Sequence, residues 1–305
     1  MGLTHTHTHT EIARKSSRSG RVASLSIKCQ SAMEYLMTYG WAILIIAVVL
    51  GALFQLGVFN SSSFSPRAPP GACQVFRPSG PGTVANINLM GVCTGQLPQY
   101  VAQFNGASSY VSTSLSLNPA SPLTLSGWIY AGTTSSSAGR FIAVGKVTGS
   151  YGSFLSIGNT GVPTFVVTTT NGIIEIVSGV DVRKGWHMVV GTYDGVQMKI
   201  YIDSALKYSY PQIGNAVYGV SGTEFGRSAG ESWYFNGSIS NIQIYNASLS
   251  ANQVQALYLK GLGGAPSPLQ NLVGWWPLNG NSNDYSGNNN NGVPTAVTFT
   301  SQYGK

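Results

Sequence analysis

Carboxylates are the side chains whose type and spacing could first suggest catalysis. The chain has only nine Asp and Glu residues among 305. Glycosidases place two carboxyl groups on either side of the bond that they cleave. Glu224 and Glu231 lie near the glycine-rich stretch EFGRSAGE, but the sequence contains no closely alternating set of carboxylates. We therefore expect a protein that is not an enzyme, and a secreted glycosidase is the hypothesis that a carboxylate pair would support.

The other reactive side chains are few. Beyond residue 29, His187 is the only histidine, and we expect it to pack in a strand between Trp186 and Met188. The sequence has no phosphate-binding loop and no Cys/His metal pattern. We expect a disulfide between Cys73 and Cys93 outside the cell, where closing that loop would stabilise the fold by about 3 kcal/mol. Two free thiols are the alternative.

An Asn-rich stretch near the C-terminus, NGNSNDYSGNNNNG, is the best candidate for binding a small ligand. The side-chain oxygens of Asn279, Asn283 and Asp284, together with backbone carbonyls, are of the kind that Ca²⁺ accepts. With one carboxylate such a site would be weak, on the order of millimolar. The alternative is a loop in which Asn and Gly tolerate a positive φ. We expect no required cofactor, with calcium as an optional ligand.

Tryptophans are candidates for stacking on sugars, although a sandwich of this size should bury most of them. The candidates are Trp128, Trp186, Trp233, Trp275 and Trp276. The Asn-x-Ser pattern of glycan acceptors occurs at Asn60, Asn236 and Asn246. These sites predict a protein that could carry glycans as readily as bind them.

The elements that must position these residues are mostly strands. From residue 100 onward, β-branched and aromatic runs alternate with turn signals roughly every 8 to 12 residues, which predicts a β-sandwich. Asn171-Gly172 and Asp194-Gly195 predict tight hairpin turns. A single helix is predicted after Ser250, with Gln253 completing a capping box and Gly261 ending it.

The N-terminal part is different in kind. Residues 30–59 carry one charge, Glu34, and from Trp41 to Phe59 only Gln55 is strongly polar. That span would make a helix of about 28 Å, close to the thickness of a bilayer core. The preceding residues 1–29 hold five basic side chains and one acidic one, so most of the net charge of +7 belongs to a leader. This favours a topogenic signal over nucleic-acid binding.

QSAMEYLMTYGWAILII after a basic leader resembles the class III signal of archaeal type IV pilin-like proteins. The resemblance implies cleavage by a prepilin peptidase between Cys29 and Gln30, although Cys29 stands where that family usually has Gly. In an apolar filament core the carboxylate of Glu34, the fifth residue of the mature chain, needs a cation, which the new α-amino group of Gln30 on a neighbour would supply. The alternative is that Glu34 is a polar residue at the level of the lipid headgroups, as it would be before assembly. A lipoprotein is a disfavoured alternative, because Lys28 stands where a small residue is needed.

The segments YVAQFNGASSYV, LTLSGWIYA, GWHMVVGTYDG and YFNGSISNIQIYNASLSANQVQALY resemble laminin-G-like domains of the concanavalin A-like lectin/glucanase group. The resemblance implies a jelly roll of two stacked antiparallel sheets over residues 100–305. LVGWWPLNGNSNDYSGNNNNGVPTAVTF resembles the opening of such a domain but comes last, so residues 270–305 are expected to supply permuted terminal strands. They could complete their own domain, which we favour, or a neighbour's.

The sequence thus predicts a mainly β protein with four parts: a leader (1–29), an apolar helix (30–59), a linker with the cysteine module (60–99) and the sandwich (100–305). Our first hypothesis is a structural pilin subunit of an archaeal cell-surface filament that displays a laminin-G-like domain for adhesion. Its partners would be copies of itself, the prepilin peptidase and assembly machinery, the membrane before assembly, and a carbohydrate. The alternative is a membrane-anchored extracellular lectin that does not polymerise.

Overall fold

A computed structural model describes the following parts of the chain: residues 25–55, 67–68, 73–76, 84–87, 91–92, 97–118, 122–132, 139–145, 152–183, 185–219, 222–228 and 231–302. The chain divides into two units, residues 1–65 and residues 66–305. The first unit contributes one helix, and the second contains all the strands and a short helix.

The first unit contains a 31-residue helix, α1, Leu25–Gln55. It contains no proline, and its Ala, Leu and Met residues are good helix formers. Its described large apolar side chains between Met37 and Leu50 are 47% to 68% exposed. The predicted cleavage position between Cys29 and Gln30 lies within this helix, whereas the side chains of Gln30 and Glu34 lie outside the described residues. Of the residues described, none form a helix long and apolar enough to cross a membrane.

The second unit begins with four short strands in two small sheets. β1 (Arg67–Ala68) pairs with β4 (Gly91–Val92), and β2 (Cys73–Phe76) pairs with β3 (Val84–Ile87). These four strands lie within the stretch that the sequence assigns to the linker and the cysteine module. Cys93 lies outside the described residues, and the disulfide with Cys73 therefore stays a prediction.

Two antiparallel sheets form the body of the second unit. The seven-stranded sheet has the order β11-β10-β9-β8-β15-β6-β18. The eight-stranded sheet has the order β14-β13-β12-β7-β16-β5-β19, with β17 paired to β16. The fold is therefore the mainly β, two-sheet sandwich that the sequence predicts. Its strands are β5 (Val101–Asn105), β6 (Tyr110–Ser112), β7 (Leu123–Ala131), β8 (Gly139–Val144), β9 (Ser153–Ile157), β10 (Pro163–Thr169), β11 (Gly172–Val177), β12 (Trp186–Tyr193), β13 (Gln197–Ile202), β14 (Ala205–Pro211), β15 (Glu224–Phe225), β16 (Asn236–Tyr245), β17 (Leu272–Trp276), β18 (Val293–Thr295) and β19 (Thr298–Thr300).

The inner faces of both sheets share one hydrophobic core. Because side chains alternate along a strand, every second residue points inward. Leu155 and Phe165 of the seven-stranded sheet and Val189 and Ile200 of the eight-stranded sheet are fully buried in this core. The predicted hairpin turns after Thr169 and Tyr193 connect β10 to β11 and β12 to β13, as expected.

A second hydrophobic layer covers the outer face of the eight-stranded sheet. Helix α2 (Ala251–Lys260) has Ser250 as its N-cap, a capping box with Gln253 and Gly261 at its C-cap, which confirms the sequence prediction. Its buried Val254 and Leu257 pack with Trp128, Trp186 and Tyr245 of the sheet. The Trp128 and Tyr258 rings stack with their centroids 5.6 Å apart.

The C-terminal segment enters both sheets of its own chain. β17 pairs with β16, β18 pairs with β6 and β19 pairs with β5. Trp276 of β17 is fully buried in the central core. Residues that come last in the sequence therefore pair with strands that come first in the domain.

Candidate functional site

The outer face of the seven-stranded sheet is different from its helix-covered counterpart, because it carries a row of mixed polar and apolar side chains. Strand register aligns Glu224, Ala143, Phe154, Val166 and Glu175 across five neighbouring strands. Three of them, Ala143, Phe154 and Val166, form a small buried apolar cluster of their own. A carboxylate therefore lies at each end of an apolar strip.

A bulge in β8 brings a cation to this same face. The register of β8 against β9 shifts between Arg140 and Ile142, so that Arg140 lies opposite Ser156. The Ser156 and Thr164 hydroxyls are hydrogen-bonded at 2.7 Å. An extra residue in one strand re-aims the side chains on either side of it. Phe141 consequently stays in the core while Arg140 joins Ser156 and Thr164 beside the apolar strip.

A cleft of about 320 Å³, the size range of small-ligand sites, lies on this face. Phe154 and Val166 are buried, whereas Ile173, Glu175 and Trp233 are exposed. The indole of Trp233 is 40% exposed. The cleft is lined by Arg140, Phe154, Ser156, Val166, Ile173, Glu175 and Trp233.

Arg140 fixes the position of Trp233. Its guanidinium carbon lies 4.0 Å from the centroid of the Phe154 ring and 4.5 Å from that of Trp233, so the cation is held between two aromatic faces. It also forms an ion pair with Glu231, and its side chain has no exposed surface. The Arg140 backbone N–H donates to the Trp233 carbonyl at 3.3 Å. Charge, ring and backbone contacts thus attach residues 231–235 to β8.

The close approach of that segment requires a glycine. A Cβ at Gly139 would lie 2.6 Å from the Cα of Phe235 and 2.8 Å from the Tyr234 carbonyl oxygen. Both are backbone atoms, which cannot rotate away as a flexible side chain would. Gly139 therefore allows the chain that carries Trp233 to lie directly against β8.

A second ion pair lies on the same sheet face, and here the strand carries the carboxylate instead of the arginine. Glu224 of β15 accepts two hydrogen bonds from Arg227, both at 3.1 Å, and the Arg227 guanidinium carbon lies 3.3 Å from the Tyr110 ring centroid. Burial would lower the pKa of Arg227, but hydrogen bonds to Glu224 and Tyr234 outweigh it and raise the pKa overall. Arg227 therefore stays charged and connects Glu224 of β15 to Tyr234, the residue after Trp233.

The residues predicted to bind calcium organise a loop. The Asp284 carboxylate accepts backbone N–H groups of Trp275 at 3.0 Å, Ser286 at 2.8 Å and Asn290 at 2.9 Å. The Asn279 side-chain oxygen accepts the Tyr100 N–H at 2.8 Å, and Asn283 is exposed. No group of three or more His, Cys, Asp or Glu side chains is placed to hold a metal in the described parts of the chain. Calcium at this loop stays a prediction.

The other predicted residues are dispersed. Trp128, Trp186 and Trp276 are buried in the two hydrophobic layers, as expected for most of the tryptophans. The Nδ1 atom of His187 lies 2.7 Å from an Asp203 carboxylate oxygen, in the other sheet. Of the predicted glycan acceptors, Asn236 is half-buried, Asn246 is exposed and Asn60 lies outside the described residues.

Comparison with known proteins identifies the class of the domain. Residues 105–255 match the family Laminin_G_3, described as concanavalin A-like lectin/glucanases superfamily. The chain therefore carries a laminin-G-like domain of the concanavalin A-like fold. Of the curated proteins compared with the chain, none matches it.

Two solved structures share this fold. One is described as a candidate carbohydrate binding protein from Bacteroides ovatus, with a TM-score of 0.55, 16% identity, and coverage of 75% of this chain and 66% of that one. The other is a heptameric SAP-like pentraxin from Limulus polyphemus, with a TM-score of 0.50, 14% identity, and coverage of 67% and 95%. The chain spans just under two thirds of the Bacteroides protein. At these identities the likeness concerns the fold alone.

Arg140, Phe154 and Glu175 were not among the residues that sequence reasoning selected. Arg140 and Glu231 are 91 positions apart, and their pairing depends on the bulge in β8. The alternation of Phe154 and Ser156 opposite Val166 and Thr164 was visible in the strands, but the sequence did not show which face a helix would cover. The site comes from the sheet register, which pairs residues across neighbouring strands.

Proposed function

We propose that the laminin-G-like domain is a carbohydrate-binding module and that its ligand lies in the cleft on the outer face of the seven-stranded sheet. The observation that carries this proposal is the half-exposed indole of Trp233, held in place by a buried arginine at the edge of that cleft. An aromatic ring that is rigidly supported and open to solvent offers a flat apolar surface to the C–H face of a sugar.

The polar groups around the ring suit a saccharide. Ser156 supplies a hydroxyl, which is hydrogen-bonded to that of Thr164 on the next strand, and Glu175 supplies a carboxylate acceptor, beside the buried apolar floor formed by Phe154 and Val166. A mostly apolar cleft with a few placed polar groups is the usual composition of a small-ligand site. The ring would give affinity, and the hydroxyls and carboxylate would give orientation.

The same contacts favour binding without catalysis. Glu224 is hydrogen-bonded to Arg227, and Glu231 is paired with Arg140. An arginine thus already engages each carboxylate, whereas a general acid must lie within hydrogen-bond reach of the glycosidic oxygen. We therefore retain the proposal that the protein is not an enzyme. Hydrolysis of a glucan that disappears in Glu224→Gln or Glu231→Gln would overturn it.

The binding proposal is tested with the full chain kept in a detergent that contains no sugar. Titration with soluble oligosaccharides should give a dissociation constant that rises about thirtyfold in Trp233→Ala, the cost of removing a central aromatic anchor. Tyr208→Ala is the matched control, because Tyr208 is 47% exposed on the edge strand of the other sheet. Equal binding by Trp233→Ala and wild type would place the ligand elsewhere.

A second function is favoured by helix α1. A run of apolar side chains from Met37 to Leu50, exposed on every side of the helix, requires a non-aqueous environment or neighbouring copies. We propose that α1 packs in a type IV pilin-like filament after cleavage before Gln30, and that Glu34 pairs with the α-amino group of a neighbouring subunit. In this proposal the protein is anchored in the membrane before assembly and then displays its lectin-like domain on the cell surface.

The N-terminal residue of protein recovered from sheared surface material tests this second function by mass spectrometry. We expect filaments built from chains that begin at Gln30, and Glu34→Ala should prevent their assembly. Chains that retain Lys28 and Cys29 and are recovered only from membranes would instead support an anchored lectin that does not polymerise.

A further inference from the structure

The charges around the cleft do not cancel. Arg140 and Glu231 form one pair, and Glu224 and Arg227 form another, so each pair is close to neutral as a unit. Glu175, the remaining ionisable side chain that lines the cleft, forms no ion pair with any residue in the described ranges. Among the described residues that line the cleft, Glu175 thus carries the charge that no partner balances, in a chain whose net charge is +7.

Arg140 cannot act as the receptor for an acidic ligand. Its side chain has no exposed surface, and it lies between the Phe154 and Trp233 rings with Glu231 beside it. A ligand carboxylate would have to displace a buried ion pair, which is strongly unfavourable. The guanidinium therefore supports Trp233 without offering its charge to the ligand.

Glu175 has the opposite properties. It lies on the edge strand β11, at the end of the row that continues through Val166 and Phe154. Its side chain is exposed, and its neighbour on the same strand face, Ile173, is 44% exposed. A carboxylate next to an apolar floor and an aromatic ring presents an acceptor to a cation whose hydrophobic part contacts the ring.

We infer that this cleft selects saccharides that carry a primary ammonium group over neutral ones, and rejects acidic saccharides. This inference rests on the proposed function. In it the ring of the sugar stacks on Trp233 while its ammonium group pairs with Glu175. The geometry assigns Glu175 the role of a specificity-determining residue and leaves affinity for neutral sugars to Trp233.

The test uses the full chain and three oligosaccharides of equal length, built from glucosamine, N-acetylglucosamine and galacturonic acid. At about pH 6, where the primary amines are mostly protonated, we expect the glucosamine oligomer to bind about fivefold more tightly than its N-acetylated counterpart, the size of an exposed ion pair. The galacturonic acid oligomer should bind least tightly. Higher salt should reduce the preference, because it screens exposed charges.

Glu175→Gln should remove the preference for the glucosamine oligomer, because the amide keeps the size of the side chain but lacks the charge that pairs with the ammonium group. Asp181→Asn is the control of equal charge change, since Asp181 is an acid outside the lining of the cleft. If Glu175→Gln and Asp181→Asn lost the preference for the glucosamine oligomer equally, the overall charge of the protein would be its cause, and the inference would be overturned.

The outcomes separate the two proposals. Equal binding of the charged and N-acetylated oligomers, unchanged by Glu175→Gln, would overturn the ammonium selectivity and leave the carbohydrate-binding function standing. Tighter binding of the galacturonic acid oligomer would have the same result. Failure of all three oligomers to bind would overturn the proposed function, and the inference with it.

Discussion

The two outer faces of the sandwich differ in what packs against them. Helix α2 covers the face of the eight-stranded sheet, where Trp128 stacks on Tyr258 and the surrounding side chains are apolar. The face of the seven-stranded sheet is crossed by residues 231–235, which carry Trp233 and are attached to the strands by an ion pair. Apolar burial stabilises the first face, whereas the second retains charges and an open ring at some cost in stability. An aromatic side chain is therefore a candidate surface for sugar stacking only where no helix or loop covers its ring.

The largest expected effect separates a tryptophan of each face. Trp128 is 3% exposed, so Trp128→Ala should lower the free energy of unfolding by about 4 kcal/mol, measured by chemical denaturation. Trp233→Ala should cost about 1 kcal/mol, the loss of a cation–π contact, yet weaken saccharide binding. Comparable losses of stability in the two variants would break the distinction between the faces.

The next effect concerns the ion pair that supports Trp233. Glu231→Gln removes the carboxylate beside the fully buried Arg140, and should destabilise the fold by about 3 kcal/mol. A second change, Arg140→Met, should recover much of that loss, because an apolar side chain then fills the site. The double variant should nevertheless bind saccharide weakly, since Trp233 has lost its support. The exposed pair of Arg183 with Asp181 is the control, and Asp181→Asn should change the stability little.

The fold was more predictable from the sequence than the site. Period-two alternation, the Asn171-Gly172 and Asp194-Gly195 turns and the capping box at Ser250 are local signals, and each is found in the structure. The site depends on non-local facts, such as the bulge beside Arg140 and the row from Glu224 to Glu175. Sequence spacing does not predict such neighbours, because they are far apart in the chain and are brought together by the pairing of strands.

A smaller effect is the loss of stability at alkaline pH, which tests how well buried tyrosines are shielded from solvent. Burial raises the pKa of Tyr245, which lies beneath α2, and that of Tyr218 in the central core. Their neutral forms are therefore favoured in the folded protein, and this stability is present below the ordinary tyrosine pKa of about 10. Above that pH the free energy of unfolding falls by about 1.4 kcal/mol per pH unit for each tyrosine, until the pH reaches the pKa of the folded state. Denaturation curves at increasing alkaline pH should show this decline, with a shallower slope in Tyr245→Phe.

The smallest effect concerns the loop that joins β17 to β18. Asp284→Asn removes one of the oxygens that accept backbone N–H groups, and should lower the stability by about 1 to 2 kcal/mol without altering saccharide binding. If calcium binds at this loop, a concentration a few times its expected, roughly millimolar, dissociation constant should raise the melting temperature of the wild type but not that of Asp284→Asn. A calcium effect that persists in Asp284→Asn would place the ion elsewhere.

The most direct test of the carbohydrate site is hydrogen exchange of the full chain with and without a bound oligosaccharide. We expect slower exchange in β9, β10 and β11 and in residues 231–235, which surround the cleft. Helix α2 and its sheet face should exchange at the same rate in both states. Protection that appears on the helix-covered face or on the edge strand β14, with none around Trp233, would contradict the assignment of the open face to carbohydrate binding.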